Sequence, residues 1–190
     1  MSDTEVSVEI NTSSFMHSIN IEDKSFHLCE VVSEATLGRV HIALQKLSKI
    51  EDDKPIRMYL STTGGDVEAG LGIFDVLTAL PSLEIVVVGY AYSMGILLLQ
   101  AASERMMTPN SSLMAHWGHQ AVDDDNKENY RRKLAFQSVL DEKCDNILLK
   151  RMKEKKKSMT LKKIQVLTEH DWYMGPKEAI KMGLADSILY

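Results

Sequence analysis

Between residues 25 and 103 the sequence alternates short strand patterns with longer helical patterns, and this alternation restricts the fold more than any other feature. Each of three strand patterns is followed by a helical pattern, giving pairs at residues 27–32 and 34–50, 56–61 and 66–80, and 83–88 and 94–103. A further short strand pattern covers residues 112–116. Such repeated β-α units predict an α/β layered fold with mostly parallel strands and right-handed crossovers.

The pattern then changes to one long amphipathic helix, predicted over about residues 123–157. Val139 and Leu149 lie outside its apolar face, which collects residues at 3.6-residue spacing: Tyr130, Leu134, Phe136, Leu140, Cys144, Ile147, Leu148 and Met152. Because an isolated amphipathic helix is marginal in water, this face is predicted to pack on another element or another subunit. A short helix over residues 176–182, ended by Gly183, and a last strand within LADSIL complete the expected elements.

Composition narrows the class of protein. A chain of 190 residues with a formal charge of −5 suits one domain with a substantial core, and it argues against binding nucleic acid or an anionic membrane. Cys29 and Cys144 are far apart, so neither a zinc site nor a disulfide framework is indicated, which fits the reducing cytoplasm. Residues 1–24, which lack a secretory signal pattern, are expected to be flexible or processed, and residues 25–190 to form the domain.

Two strand-to-helix turns, TTGGD and YSMG, carry the residues that suggest chemistry. Both follow predicted parallel strands, at the sheet edge where α/β folds bind ligands. Gly64 and Gly65 either form a tight turn or let a substrate backbone approach exposed amides. Ser93 is either the N-cap of the apolar helix, with its oxygen accepting from an amide of the first turn, or a nucleophile at a sharp elbow.

An activated serine needs a base within hydrogen-bond reach, and the base needs an orienting acceptor. His116, at the end of the fourth strand pattern, is the candidate base, with His119 and His170 as alternatives. Asp171 is the candidate orienting carboxylate, and the aromatic residues at 172–173 are expected to shield it from water. The same side chains could ligate zinc, but a metal site would leave the glycine and serine turns unexplained.

Four segments resemble, in this order and at similar spacing, the proteolytic subunit of the Clp protease: STTGGDVEAGLGIFDVL, VVVGYAYSMGILLLQAA, MMTPNSSLMAHWG and HDWYMGPKEAIKMGLADSIL. The resemblance covers most of residues 25–190 and implies a ClpP-like, crotonase-related fold with the long helix protruding as a handle. It also implies a Ser-His-Asp peptidase. The family's nucleophile, histidine and aspartate fall on Ser93, His116 and Asp171.

The resemblance further implies an oxyanion hole made by the amides of Gly65 and Met94. Substrate would bind as an added strand along Gly64, Gly65, Asp66 and Val67. By the same resemblance, the protein is a cytoplasmic homo-oligomer of two stacked seven-membered rings joined through the handle helix, without cofactor or metal. A separate AAA+ unfoldase of the Clp type would feed it unfolded polypeptides, because the chain has no phosphate-binding GxxxxGK loop of its own.

Several positions depart from the family pattern. Thr63 replaces the usual proline before the two glycines, and Tyr92 replaces the usual alanine before the serine. After His116, residues 117–119 and an acidic run at 123–125 replace the usual Gln-Pro and glycines. These differences indicate a divergent member with altered substrate preference, and a phage origin, with the host cytoplasm as location, is one explanation. Three alternatives stay open: a crotonase-like acyl-CoA enzyme, a Ser-Lys peptidase, and a catalytically silent ring scaffold.

Overall fold

The computed structural model describes residues 18–116 and 126–190. Within these ranges the strands are β1 Ile19–Asn20, β2 Ser25–Leu28, β3 Ile56–Thr62, β4 Leu83–Tyr92, β5 Glu104–Met107, β6 Ser112–Ala115, β7 Trp172–Met174 and β8 Ser187–Ile188. The helices are α1 Glu34–Leu47, α2 Val67–Thr78, α3 Met94–Leu99, α4 Lys127–Lys155, α5 Leu161–Thr168 and α6 Pro176–Met182. The predicted alternation of strands and helices up to residue 103 is confirmed.

All eight strands belong to one sheet, in the order β1-β2-β3-β4-β5-β8, with β6 and β7 branching from β4. The pairs β2–β3, β3–β4, β4–β5, β4–β6 and β5–β8 are parallel. Only β1, against β2, and β7, against β6, run antiparallel among the described strands. The fold is therefore a mixed α/β fold with a mostly parallel sheet, as predicted.

Strand β4 is longer than its sequence pattern and divides the sheet. Its first half, at residues 84–87, pairs with β5, whereas residues 90–92 pair with β6. Gly89, at φ 82°, separates the halves, and such a backbone conformation is freely available only to glycine. The predicted strand end at residue 88 is wrong, because the ladder with β6 extends the strand to Tyr92.

The core forms where the parallel strands meet the first three helices. Residues 85–87 of β4 are fully buried, and all of α3 is buried at the end of that strand. Ser33 caps α1 by accepting from the Thr36 amide, and Asp66 caps α2 by accepting from the Ala69 amide at 2.7 Å. At the other end of the chain, α6 ends at Gly183 with φ 80°, as predicted.

Helix α4 is the predicted long helix, although its expected first residues, 123–125, lie outside the described residues. Its C-terminal half is anchored by Leu140, Leu148 and Met152, which are buried. Its N-terminal half exposes four apolar side chains: Tyr130, Leu134, Phe136 and Val139. The predicted apolar face is therefore covered by this chain along only part of its length. Across the described ranges, no helix is long and apolar enough to cross a membrane.

Candidate active site

Ser93 lies at the elbow between β4 and α3 in a backbone conformation that is rare for serine. Its φ is 53° and its ψ is −118°, and its amide donates to the Met114 carbonyl oxygen at 2.8 Å. The side chain forms no capping hydrogen bond with α3. Instead, Oγ lies 2.8 Å from Nε2 of His116. The N-cap interpretation of this hydroxyl is therefore wrong, and a non-glycine residue held at positive φ costs about 1–3 kcal/mol.

The glycine turn between β3 and α2 presses directly on this elbow. A Cβ atom at Gly64 would lie 2.7 Å from the Ser93 Cβ, 2.8 Å from the Tyr92 carbonyl oxygen and 2.9 Å from the Met94 nitrogen. These approaches are too close for any side chain, so glycine is required for the two turns to touch. Gly64 also has φ 93°. The tight-turn interpretation of this glycine is therefore confirmed, and the approach of a substrate backbone to the turn stays a prediction.

The backbone amides of Gly64 and Gly65 differ in their hydrogen bonds. The Gly64 N–H donates to Thr62 Oγ1 at 3.1 Å. On either side of Gly65, Val32 donates its amide to the Gly64 carbonyl at 2.8 Å, and Asp66 donates its amide to the Val32 carbonyl at 2.9 Å. Among the turn and loop hydrogen bonds of the described residues, the N–H groups of Gly65 and Met94 are not donors. These are the two amides that the resemblance assigns to an oxyanion hole.

Strand pairing explains why His116 and Asp171 lie near Ser93. Strand β6 pairs with β4 so that Met114 is opposite Tyr92, and His116 follows β6 immediately. Strand β7 then pairs antiparallel with β6, and Asp171 immediately precedes it. Nδ1 of His116 lies 4.0 Å from Oδ1 of Asp171. The arrangement is tight at the serine and looser at the aspartate.

Asp171 is open to solvent, with 55% of its side chain exposed, so the expected aromatic shielding is wrong. One neighbour nonetheless binds it, because the Tyr173 hydroxyl donates to Oδ2 at 3.3 Å. The charge of Asp171, followed by partial desolvation, raises the pKa of Tyr173, which keeps the phenol protonated as a donor. The Tyr173 ring packs edge-on against Tyr92, whose hydroxyl lies 2.8 Å from Ser112 Oγ.

The sequence also offered His119 and His170 as alternative bases and a metal site as an alternative to the serine site. His170 is exposed, and the ring nitrogen within hydrogen-bond distance of Ser93 Oγ belongs to His116. His119 lies outside the described residues. In the ranges that the structure describes, no group of three or more His, Cys, Asp or Glu side chains is arranged to hold a metal ion.

A cavity of about 50 Å³ borders Ser93, His116 and Met94. Two carboxylates of helix α4, Asp141 and Asp145, line it, and the sequence analysis did not identify them as site residues. A signal was present, because the two residues are four apart and flank Cys144 beside the predicted apolar face. Carboxylates at that position on a helix that packs against the domain indicate a polar site, because Asp and Glu are almost never fully buried unless they are paired.

Comparison with protein-family models gives one result that bears on this geometry. The model described as Clp protease matches residues 11–190, which is nearly the whole chain. Members of that family are peptidases whose subunits generally assemble into rings and act with unfoldases. The elbow serine, its histidine and the glycine turn all fall inside the matched range, and the chain belongs to the Clp protease family.

Proposed function

We propose that this protein is a serine endopeptidase subunit that uses Ser93 as the nucleophile, His116 as the base and Asp171 as the orienting carboxylate. The observation that carries the proposal is the 2.8 Å contact between Ser93 Oγ and His116 Nε2 at a strained elbow. A serine hydroxyl is a weak nucleophile unless a positioned base removes its proton. Membership of a peptidase family supports the same chemistry.

In this mechanism, Nε2 of His116 takes the Ser93 proton as Oγ forms a bond to the carbonyl carbon of the substrate peptide. The Gly65 and Met94 N–H groups donate to the resulting oxyanion. His116 then returns the proton to the leaving amine as the C–N bond breaks. A water molecule repeats the sequence on the acyl-enzyme, which releases the carboxylate product and restores Ser93.

Asp171 holds the imidazole in the correct orientation and stabilises its protonated form in this proposal. The separation of 4.0 Å is an ion-pair distance and exceeds a hydrogen bond. A shift of about 1 Å brings the two groups into hydrogen-bond contact, and such contacts commonly tighten when substrate binds. Because Asp171 is exposed in the single chain, a neighbouring subunit or a substrate can cover it and strengthen the pair.

The substrate is proposed to be an unfolded polypeptide that binds as an added strand along residues 64–67. Backbone pairing does not depend on sequence, so enclosure within a ring chamber would supply the selectivity that the strand lacks. The exposed apolar residues of α4, from Tyr130 to Val139, suit contact between two stacked rings, which we propose are seven-membered. A Clp-type AAA+ unfoldase would deliver the substrate.

The lining of the cavity beside Ser93 favours histidine over lysine as the base. The described residues around it include His116 and no lysine. A Ser-Lys peptidase requires the lysine amine within hydrogen-bond reach of the nucleophile. The contact with His116 therefore supports the triad proposal over that alternative.

The proposal is tested by labelling the assembled protein with a fluorophosphonate probe and measuring hydrolysis of an unfolded polypeptide, with particle mass recorded by light scattering. Ser93→Ala is expected to abolish labelling and to lower hydrolysis by at least about 10³-fold at unchanged mass. Ser48→Ala, at an exposed serine after α1, is the matched control and retains both activities.

Hydrolysis that persists in Ser93→Ala would overturn the proposal, and binding of CoA to that variant would favour an acyl-CoA enzyme. Failure of Ser93 to label in a correctly assembled sample would favour a silent scaffold. His116→Ala with full activity would restore the Ser-Lys alternative.

A further inference from the structure

The cavity beside the nucleophile carries negative charge deep in its wall. Asp145 lines it and is only 6% exposed. Its Oδ2 accepts one long hydrogen bond, from Gln165 Nε2 at 3.4 Å, and its Oδ1 has no hydrogen-bond donor among the described residues. A carboxylate withdrawn from water normally needs a cation or several donors to offset the loss of hydration. This one has neither within the described parts of the chain.

A second carboxylate adds to the charge. Asp141 lies one helical turn before Asp145 on α4 and lines the same cavity. Gln137 donates to its Oδ1 at 2.9 Å, but no lysine or arginine in the described ranges lies within 4.0 Å of either aspartate. Like charges four residues apart on a helix destabilise it. The pair therefore has an unfavourable arrangement that a bound cation would relieve.

The remaining wall is neutral and mostly apolar. Cys144 lies between the two aspartates, and burial followed by the charges of Asp141 and Asp145 raises the pKa of its thiol to about 12. The thiol is therefore protonated at neutral pH and is not a second nucleophile. Burial, followed in smaller part by the charge of Asp141, also raises the pKa of Asp145 against the effect of the Gln165 hydrogen bond.

The volume of the cavity favours a narrow, unbranched substrate side chain. A cavity of about 50 Å³ has room for roughly three to five groups the size of a water molecule, at about 10–15 Å³ each. The four methylenes and the ammonium of lysine form an unbranched chain of that length. Apolar residues such as Ile96, Leu97 and Leu148 line the cavity and suit the methylenes, while the aspartates suit the charge.

We propose that this cavity receives the substrate side chain on the acyl side of the scissile bond and selects a basic residue, lysine above all, with Asp145 as the specificity-determining residue. The cavity borders Ser93 and Met94, so the side chain that reaches it belongs to the residue whose carbonyl is attacked. The inference rests on the proposed function, because the cavity is a substrate pocket only if Ser93 is the nucleophile. Asp141 adds charge to the same pocket.

The test compares fluorogenic peptides that differ only in this residue: lysine, arginine, leucine and norleucine, the last of which has a lysine-like chain without charge. For the wild-type assembly, kcat/KM for lysine is expected to exceed that for norleucine by about ten- to hundredfold. Asp145→Asn is expected to reduce this ratio at least tenfold, and Asp141→Asn to reduce it less. Glu142→Gln, at an exposed position of the same helix, is the matched control and keeps the wild-type ratio.

Fluorophosphonate labelling of Ser93 separates failure of this inference from failure of the proposed function. If Ser93 labels and norleucine is cleaved as well as lysine, the inference is wrong and the serine peptidase proposal stands. If neither labelling nor cleavage occurs in the assembled wild-type protein, both are wrong. The ratio of kcat/KM for the lysine and norleucine peptides in the wild-type protein tests the inference by itself. The test therefore does not depend on whether Asp145→Asn folds.

Discussion

Asp186, whose side chain is 33% exposed, and Asp145, which is only 6% exposed, differ in how their negative charge is compensated. Asp186 accepts from the Arg105 backbone amide at 2.9 Å and from its guanidinium at 2.9 and 2.6 Å. The remaining nitrogen of Arg105, which is 3% exposed, donates to Gln100 and to the Gly183 carbonyl, both at 2.8 Å. Asp145 has one long hydrogen bond from Gln165. Asp186, which joins two elements of the fold, accepts hydrogen bonds at both carboxylate oxygens. Asp145, beside the nucleophile, accepts at only one oxygen from the described residues.

The pKa directions of the two groups reflect this difference. Burial raises the pKa of Asp186, but the hydrogen bonds and charge of Arg105 more than offset burial and hold that pKa below its usual value. For Asp145, burial dominates and the pKa lies above its usual value. The protein therefore favours the charged form at one site and resists it at the other. Stability measurements can separate the two sites.

The largest expected effect comes from breaking the pair of Arg105 and Asp186. Asp186→Asn removes the hydrogen-bonded counter-charge of the buried Arg105 guanidinium and leaves only the half-exposed Glu154 carboxylate, 3.9 Å away, which is expected to lower the free energy of unfolding by about 3 kcal/mol. Urea unfolding at fixed protein concentration and pH 7 measures this change. Asp53→Asn, at an exposed position before β3, is the matched control and should leave stability unchanged. Equal stability of wild type and Asp186→Asn would mean that the pair contributes nothing.

The pH dependence of that difference follows from the lowered pKa of Asp186. The stabilisation is fully present above the unfolded-state pKa of about 3.9 and is lost as pH falls through the lower folded-state pKa. The stability gap between wild type and Asp186→Asn should therefore be constant from pH 7 to about pH 5 and close in stronger acid. A gap that changes between pH 7 and pH 5 would contradict this assignment.

Asp145→Asn is expected to act in the opposite direction and more weakly. Because the folded-state pKa of Asp145 is raised, its charged form destabilises the folded protein above the unfolded-state pKa. Replacement by the neutral amide should raise the free energy of unfolding at pH 7 by roughly 0.5–1 kcal/mol. The gain should disappear below about pH 4, where both states of the wild type are protonated. A loss of stability at pH 7 would show that Asp145 serves the fold rather than a ligand.

The smallest effect concerns Asp171, a third carboxylate, which is exposed rather than buried. Tyr173→Phe removes the hydrogen bond to its Oδ2 and should lower kcat/KM about two- to fivefold, because an exposed hydrogen bond of 3.3 Å lies toward the weaker end of the range of about 0.5–1.5 kcal/mol. Peptide hydrolysis under first-order conditions measures it. Tyr90→Phe, which changes a nearby phenol that packs on Tyr92, controls for loss of a hydroxyl from this aromatic cluster. Equal losses in both variants would remove the special role of Tyr173.

Sequence patterns predicted the parts of the fold that depend on local periodicity. The first three strand–helix pairs, the long helix and the Gly183 stop were all recognisable, because apolar spacing and turn residues determine them. The expectation that His116 lies beside the Ser93 turn also agrees with the structure, since both follow paired strands at one sheet edge. Catalysis by these residues stays a prediction.

The other features of the fold and the site depend on contacts between residues that are far apart in the sequence. Strand β5 contains Arg105, which looks incompatible with a buried strand until Asp186 is seen to neutralise it. Helix α5 has eight residues and two lysines, so its pattern is too short to stand out. The exposure of Asp171 follows from the three-residue strand β7, which the sequence analysis did not predict. The helical spacing of Asp141 and Asp145 was a local signal, but the position of Asp145 beside Ser93 depends on how α4 packs against the domain.

The left-handed backbone at Ser93 has an evolutionary consequence. Glycine adopts that conformation without strain, so a single Ser93→Gly replacement would remove the hydroxyl and relax the elbow together. If peptide cleavage were no longer under selection, this single substitution would give a more stable protein. Serine therefore destabilises this elbow relative to glycine, and the Ser93→Gly protein is expected to have a higher Tm than the wild type and no peptidase activity.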